Sequence, residues 1–120
     1  MDRTFLLIGS LAGALGVALG AFGAHGLRGR LSPDMLAVFE TGVRYHMYHA
    51  LALVGVSVLL ARADGRLYHA AGWSFTIGIL LFSGSLYLLA LTGIRGLGLI
   101  TPLGGVAFIL GWACLAIAAL

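Results

Sequence analysis

His49 lies inside a run of apolar residues, with Tyr45 one helical turn before it and His46 three residues before it. Imidazole has an ordinary pKa of about 6.5, so such a residue can hydrogen-bond, relay protons or ligate a metal. Other groups able to do chemistry are His25, Ser83, Ser85, Tyr87 and Thr101, with Glu40 and Arg44 four residues apart. Each also has a plain structural role. A neutral, satisfied His49 that joins helices stands level with a proton relay, because interhelical hydrogen bonds commonly serve packing. His46 and His49 make a poor metal site, being two ligands with no Asp, Glu or Cys beside them. No metal and no cofactor is therefore expected. Ser83 or Ser85 with His49 would be a nucleophile and its base. That pair lacks an acidic third member at its level, and a helical serine usually bonds back to backbone. Glu40 and Arg44 read as an ion pair across one turn, with a gate or an anionic-ligand site as the alternative. His46 and His69 are expected to be solvated, Trp73 to anchor at an interface and Trp112 to pack. No phosphate loop, nucleophile elbow, zinc motif or dinucleotide fingerprint occurs.

The elements that must carry these groups are unusually apolar. Four stretches, 4–24, 43–60, 70–91 and 100–120, are rich in Leu, Ile, Val, Ala, Phe and Gly. At about 1.5 Å per residue each matches a hydrocarbon layer about 30 Å thick. The fold class expected is all-α, an integral membrane bundle of four transmembrane helices in one domain. Composition agrees: 61% of the 120 residues are hydrophobic and 9% are charged. Soluble domains carry about 25% charged residues, so a water-facing surface is excluded. The net charge of +3 comes from seven arginines and no lysine. They cluster in the loops, which suits lipid headgroups and not nucleic acid. Cys114 is alone and inside the last stretch, which leaves no internal disulfide. The first stretch exceeds the apolar core of about 7–15 residues in a secretory signal, so a retained helix is expected.

Gly9, Gly13, Gly16, Gly20 and Gly23 recur at spacings of 4, 3, 4 and 3 along one stripe of helix 1. Small residues let another backbone approach closely, so this stripe reads as a packing surface, as do Gly104 and Gly105 in helix 4. The surface packed against it belongs to this chain, to a second copy or to another membrane protein. Ser32, Pro33 and Asp34 form a helix start: a cap, a proline in the first turn and an early acid. A short interfacial helix between helices 1 and 2 is expected from there, with Gly42 as a bend. Four spans place both termini on one side, called lower here. Arg3, Arg62 and Arg66 fall below and Arg28, Arg30, Arg44 and Arg95 above. Three against four barely separates the sides, and termini in the cytoplasm are expected.

Counting about 1.5 Å per residue up from Ala61 puts His49 about 18 Å high, near the membrane midplane. Tyr45, Ser83, Ser85, Tyr87 and Thr101 then fall in the upper half, and His25 at the upper boundary. Four motifs carry a family likeness: Gly20-Ala21-Phe22-Gly23-Ala24-His25, Thr41 to His49, Leu81 to Tyr87, and Thr101-Pro102-Leu103-Gly104-Gly105. The chain resembles, over essentially its whole length, the bacterial YgdD-type inner-membrane family. That family is domain of unknown function 423, to which animal transmembrane protein 256 is related. The resemblance implies a small four-helix protein of the bacterial cytoplasmic (inner) membrane. It covers His25, Tyr45, His49, Ser83, Ser85, Tyr87, Thr101 and Pro102, and leaves His46 outside.

Three functions compete. The first is a polar intramembrane site, open upward, for a small solute, a lipid headgroup or a proton path. The second is a structural or assembly protein packed through its glycine-rich helix. The third, ranked lowest for want of an acid, is an enzyme acting on a lipid or quinone. The bilayer is the one partner that composition itself demands.

Overall fold

The computed structural model describes residues 3–120. Four helices account for most of them: α1 (Thr4–Gly26), α2 (Pro33–Arg62), α3 (Arg66–Thr92) and α4 (Arg95–Ala118), each long and apolar enough to cross a membrane. The whole is elongated, 48 × 26 × 18 Å, as a bilayer protein of this helix length must be.

Local chemistry sets the ends. The Ser32 side chain accepts from the Met35 amide at 3.2 Å, with Pro33 and Asp34 in the first turn of α2. Asp64 accepts from the amide of Gly65 at 3.0 Å and meets His69 Nε2 at 3.1 Å, which turns the chain into α3. Gly93 closes α3 with φ of 73°, a left-handed value that glycine adopts without strain. The start at Ser32 is where the sequence places it, but the helix does not pause at Gly42. Pro33–Arg62 is one helix of 30 residues. The expected short separate helix is instead its first turns. Gly42 is buried, and a methyl there would meet the Tyr87 ring at 2.8 Å, so the glycine makes room for a neighbour and not a bend.

Neighbouring helices run antiparallel, glycine against side chain. Along the α1–α2 seam, methyls added at Gly9, Gly16, Gly20 and Gly23 would meet Leu53, Met47, Val43 and Phe39. The stripe in helix 1 thus lies on α2 of its own chain. Gly13 is the exception, with open space around it. Along the α3–α4 seam Gly104 lies on the backbone of Phe82, while Gly78 and Gly111 receive the rings of Phe108 and Phe75. Gly105 is looser, 3.9 Å from Phe82 by the same measure. Lipid is as apolar as leucine, so such close approach and its dispersion, not water exclusion, must hold the helices. The lower core gathers Phe5, Leu53, Val56, Ala71, Phe75, Ile79 and Phe108; Leu27, Phe39 and Ala90 form an upper one. Both α1 and α3 contain one widened π turn, Phe22–Gly26 and Ile79–Ser83. In α3 this turn sits where Gly104 presses in and carries Ser83 towards α2.

Candidate functional site

The interior stripe of α2 supplies the centre. Phe39, Gly42, His46, His49, Leu53 and Val56 are buried at alternating spacings of 3 and 4. That rhythm keeps one face inward along the whole helix. Two imidazoles therefore stand on the same inner face, His46 at 2% and His49 at 4% exposure.

His49 is enclosed by aromatic rings. It stacks on Phe108 with centroids 3.6 Å apart and planes 7° from parallel, and it lies 5.4 Å from the Phe75 ring. Its Nδ1 is 2.7 Å from the Tyr45 carbonyl, and its Nε2 is 3.0 Å from Trp112 Nε1. A carbonyl only accepts and an indole N–H only donates, so these partners assign the tautomer. Nδ1 carries the hydrogen and Nε2 accepts. Both nitrogens are then occupied in the neutral ring.

His46 links three helices. Its Nε2 donates to the Ala12 carbonyl of α1 at 2.7 Å, and its Nδ1 meets Tyr87 Oη of α3 at 2.8 Å. In the neutral ring Tyr87 donates to Nδ1. Tyr87 reaches this position because its ring lies over Gly42 and 5.0 Å from Phe39.

The hydroxyls complete the stitching. Ser83, fully buried, donates to the Gly42 carbonyl at 2.7 Å. Ser85 reaches its own helix at Phe82 O (2.9 Å) and Thr101 Oγ1 of α4 at 2.6 Å. With the Ser85 proton on Phe82 O, Thr101 donates to Ser85. Every buried side-chain N or O atom among the described residues has a hydrogen-bond partner in the protein.

Of the residues singled out from sequence, His49, Ser83, Ser85, Tyr87 and Thr101 lie at these buried contacts. His25 does not join, and Tyr45 makes no hydrogen bond to them through its hydroxyl. His25 is exposed at the upper end of α1, and Tyr45 is 39% exposed with its ring on Phe82 and Tyr48. Tyr45 contributes its carbonyl to the hydrogen bonds, and its ring lies 6.5 Å from the His49 ring with planes 13° from parallel. Glu40 and Arg44 are both exposed and make no ion pair with each other; among the described residues the ion-pair contact is Asp64–His69. They border a recess of about 260 Å³ with Gly20, Gly23, Phe39 and Val43. Both side chains are exposed, and an exposed pair across one turn gains little from closing.

Three participants escaped the sequence reading. His46 is buried and bonded at both nitrogens, not solvated. Trp112 donates to His49 as well as packing, and Gly42 offers both space and a carbonyl. The 3–4 stripe running through Phe39, Gly42, His46, His49 and Leu53 was the signal available for His46.

The geometry bears on chemistry directly. Ser83 and Ser85 spend their protons on carbonyls and neither bonds His49, so no nucleophile–base pair forms. His46 and His49 turn their nitrogens to different partners, and among the described residues no group of three metal-binding side chains forms.

Comparison with known proteins agrees with the four membrane-capable helices. The chain is 51% identical over 118 residues to the UPF0382 membrane protein YwdK of Bacillus subtilis, covering 98% of this chain and 96% of that one. It is 47% identical over 116 residues to the UPF0382 membrane protein SAB0533 of Staphylococcus aureus, covering 97% and 94%. A Staphylococcus haemolyticus relative, SH2409, is likewise 47% identical, over 115 residues. No solved structure matches the chain. The family described as protein of unknown function, DUF423, matches residues 19–105. With four apolar spanning helices and near full-length membrane-protein relatives, this chain is a membrane protein of the DUF423 family.

Proposed function

We propose that this protein is a structural, assembly-type membrane module. Its polar interior holds four helices in register, and its outer faces meet lipid or other membrane proteins. The carrying observation is the closed hydrogen-bond circuit. Ala12–His46–Tyr87 ties α1 to α2 and α3, Ser83–Gly42 ties α3 to α2, Ser85–Thr101 ties α3 to α4, and Trp112–His49 ties α4 to α2. A site that binds a solute by hydrogen bonds needs donors or acceptors left free to meet it. Here the buried groups satisfy one another.

The module belongs to the bacterial cytoplasmic membrane, with its termini in the cytoplasm. The first turns of α2 rise past the hydrocarbon into the headgroup layer. Thirty residues span about 45 Å, well beyond a core of about 30 Å. Reporter fusions at each loop test the orientation. Proteoliposomes test the function. The expected result is no proton or solute flux above empty vesicles, with His49→Gln lowering the unfolding temperature. A flux that His49→Gln abolishes while the fold survives would overturn the assembly role and restore the polar-site alternative.

A further inference from the structure

We infer that the recess between the upper ends of α1 and α2 is a headgroup site for a phosphatidylethanolamine-type phospholipid. Arg44 and Glu40 form its charged edge, Gly20 and Val43 its accessible apolar side, and the buried Gly23–Phe39 contact lies beneath. Neither charge is neutralised among the described residues, although their spacing permits a pair.

Height decides the ligand. Arg44 stands 18 residues above Arg62, the lower end of α2, or about 27 Å up; Glu40 stands 22 residues above it, about 33 Å. A hydrocarbon layer of about 30 Å that begins at Arg62 has its upper edge between them. Going outward, the protein thus presents a cation and then an anion. An ethanolamine lipid presents, going outward, a phosphate and then an ammonium. The two sequences of charge are complementary, and in the opposite order they would repel. The Arg44 guanidinium suits phosphate oxygens through its paired N–H groups. The Glu40 carboxylate suits an ammonium that retains N–H donors, which a choline lipid lacks. A glycerol headgroup carries no cation and would leave Glu40 opposed to a net negative lipid. Val43 and Phe39 close over Gly20 and Gly23, where added methyls would sit 3.3 Å and 3.0 Å from them, so a headgroup meets the rim of the recess and not the glycine backbone.

The site is separate from the interior circuit, so it stands or falls without the assembly role. The test is native mass spectrometry and lipid titration of the purified full chain with dioleoyl phosphatidylethanolamine, phosphatidylcholine and phosphatidylglycerol. The ethanolamine lipid is expected to bind about tenfold more tightly than the other two, the scale of one charge-assisted hydrogen bond. Glu40→Gln is expected to bring it down to the choline level, and Arg44→Gln to weaken all three. Both residues are exposed, so an unchanged unfolding temperature verifies the fold of each variant. Equal binding of the three lipids, a preference for the glycerol lipid, or an ethanolamine preference that survives Glu40→Gln would each overturn the site.

Discussion

His46 and His49 stand three residues apart on one buried face of α2, yet their partners hold them in different ways. His49 receives a hydrogen bond from an indole N–H, which can only donate. His46 faces a phenol, which can donate or accept. A second proton on His46 would leave both contacts in place, with Tyr87 turned to accept and the Ala12 carbonyl unchanged. A second proton on His49 would set N–H against N–H. The lesson is that depth and burial do not define a histidine's capability. The hydrogen-bond inventory of the group opposite does.

The strongest way to break this contrast is His49→Ala. It removes the ring stacked on Phe108 and orphans the Trp112 N–H, so a loss of about 3 kcal/mol in unfolding free energy is expected. Reversible unfolding in mild detergent measures it, and a loss below about 1 kcal/mol, the scale of an ordinary hydrogen bond, would mean His49 is not a packing element. Trp112→Phe keeps the imidazole but strips its donor and trims the indole that lies 4.9 Å from Phe75. A cost of about 1–3 kcal/mol is expected by the same measurement. Tyr87→Phe removes one hydroxyl and nothing else. Hydrogen bonds between membrane helices average about 0.6 kcal/mol, up to about 1.7, so its cost should be the smaller of the two. Nitrogen NMR of labelled imidazole sharpens the comparison without perturbing it. Neutral His49 should show hydrogen on Nδ1 and neutral His46 hydrogen on Nε2; the reverse assignment for either would refute the partners described. The smallest effect belongs to Gly13→Ala, beside the Ala12 carbonyl that His46 uses. Open space surrounds Gly13, so stability should change by less than about 0.5 kcal/mol.

Much of the architecture was legible beforehand for a simple reason. A helix in lipid must satisfy its backbone internally and match a fixed thickness, so apolar run lengths translate into spans. The start of α2 was legible at Ser32 because capping is local chemistry. Its continuation through Gly42 was not, since a glycine that bends a helix and one that admits a neighbouring ring look alike in sequence. The same blindness affected the polar residues. His25 and Tyr45 sit in well-marked motifs yet turn outward, while His46 turns inward to partners 34 and 41 residues away. The Trp112–His49 contact joins residues 63 apart, and no local pattern encodes it.

Composition and run length, read alone, determined that this chain lives in a bilayer, that it is helical, and where its glycine seam lies, because solvent and backbone geometry leave few alternatives. Only the tertiary arrangement decided which helix meets that seam, which imidazole can reverse its hydrogen bond, and which exposed charges of α2 stay unpaired. Those outcomes depend on donors and acceptors brought together across helices, and hydrogen bonds act over about 3 Å in space, whatever the distance along the chain.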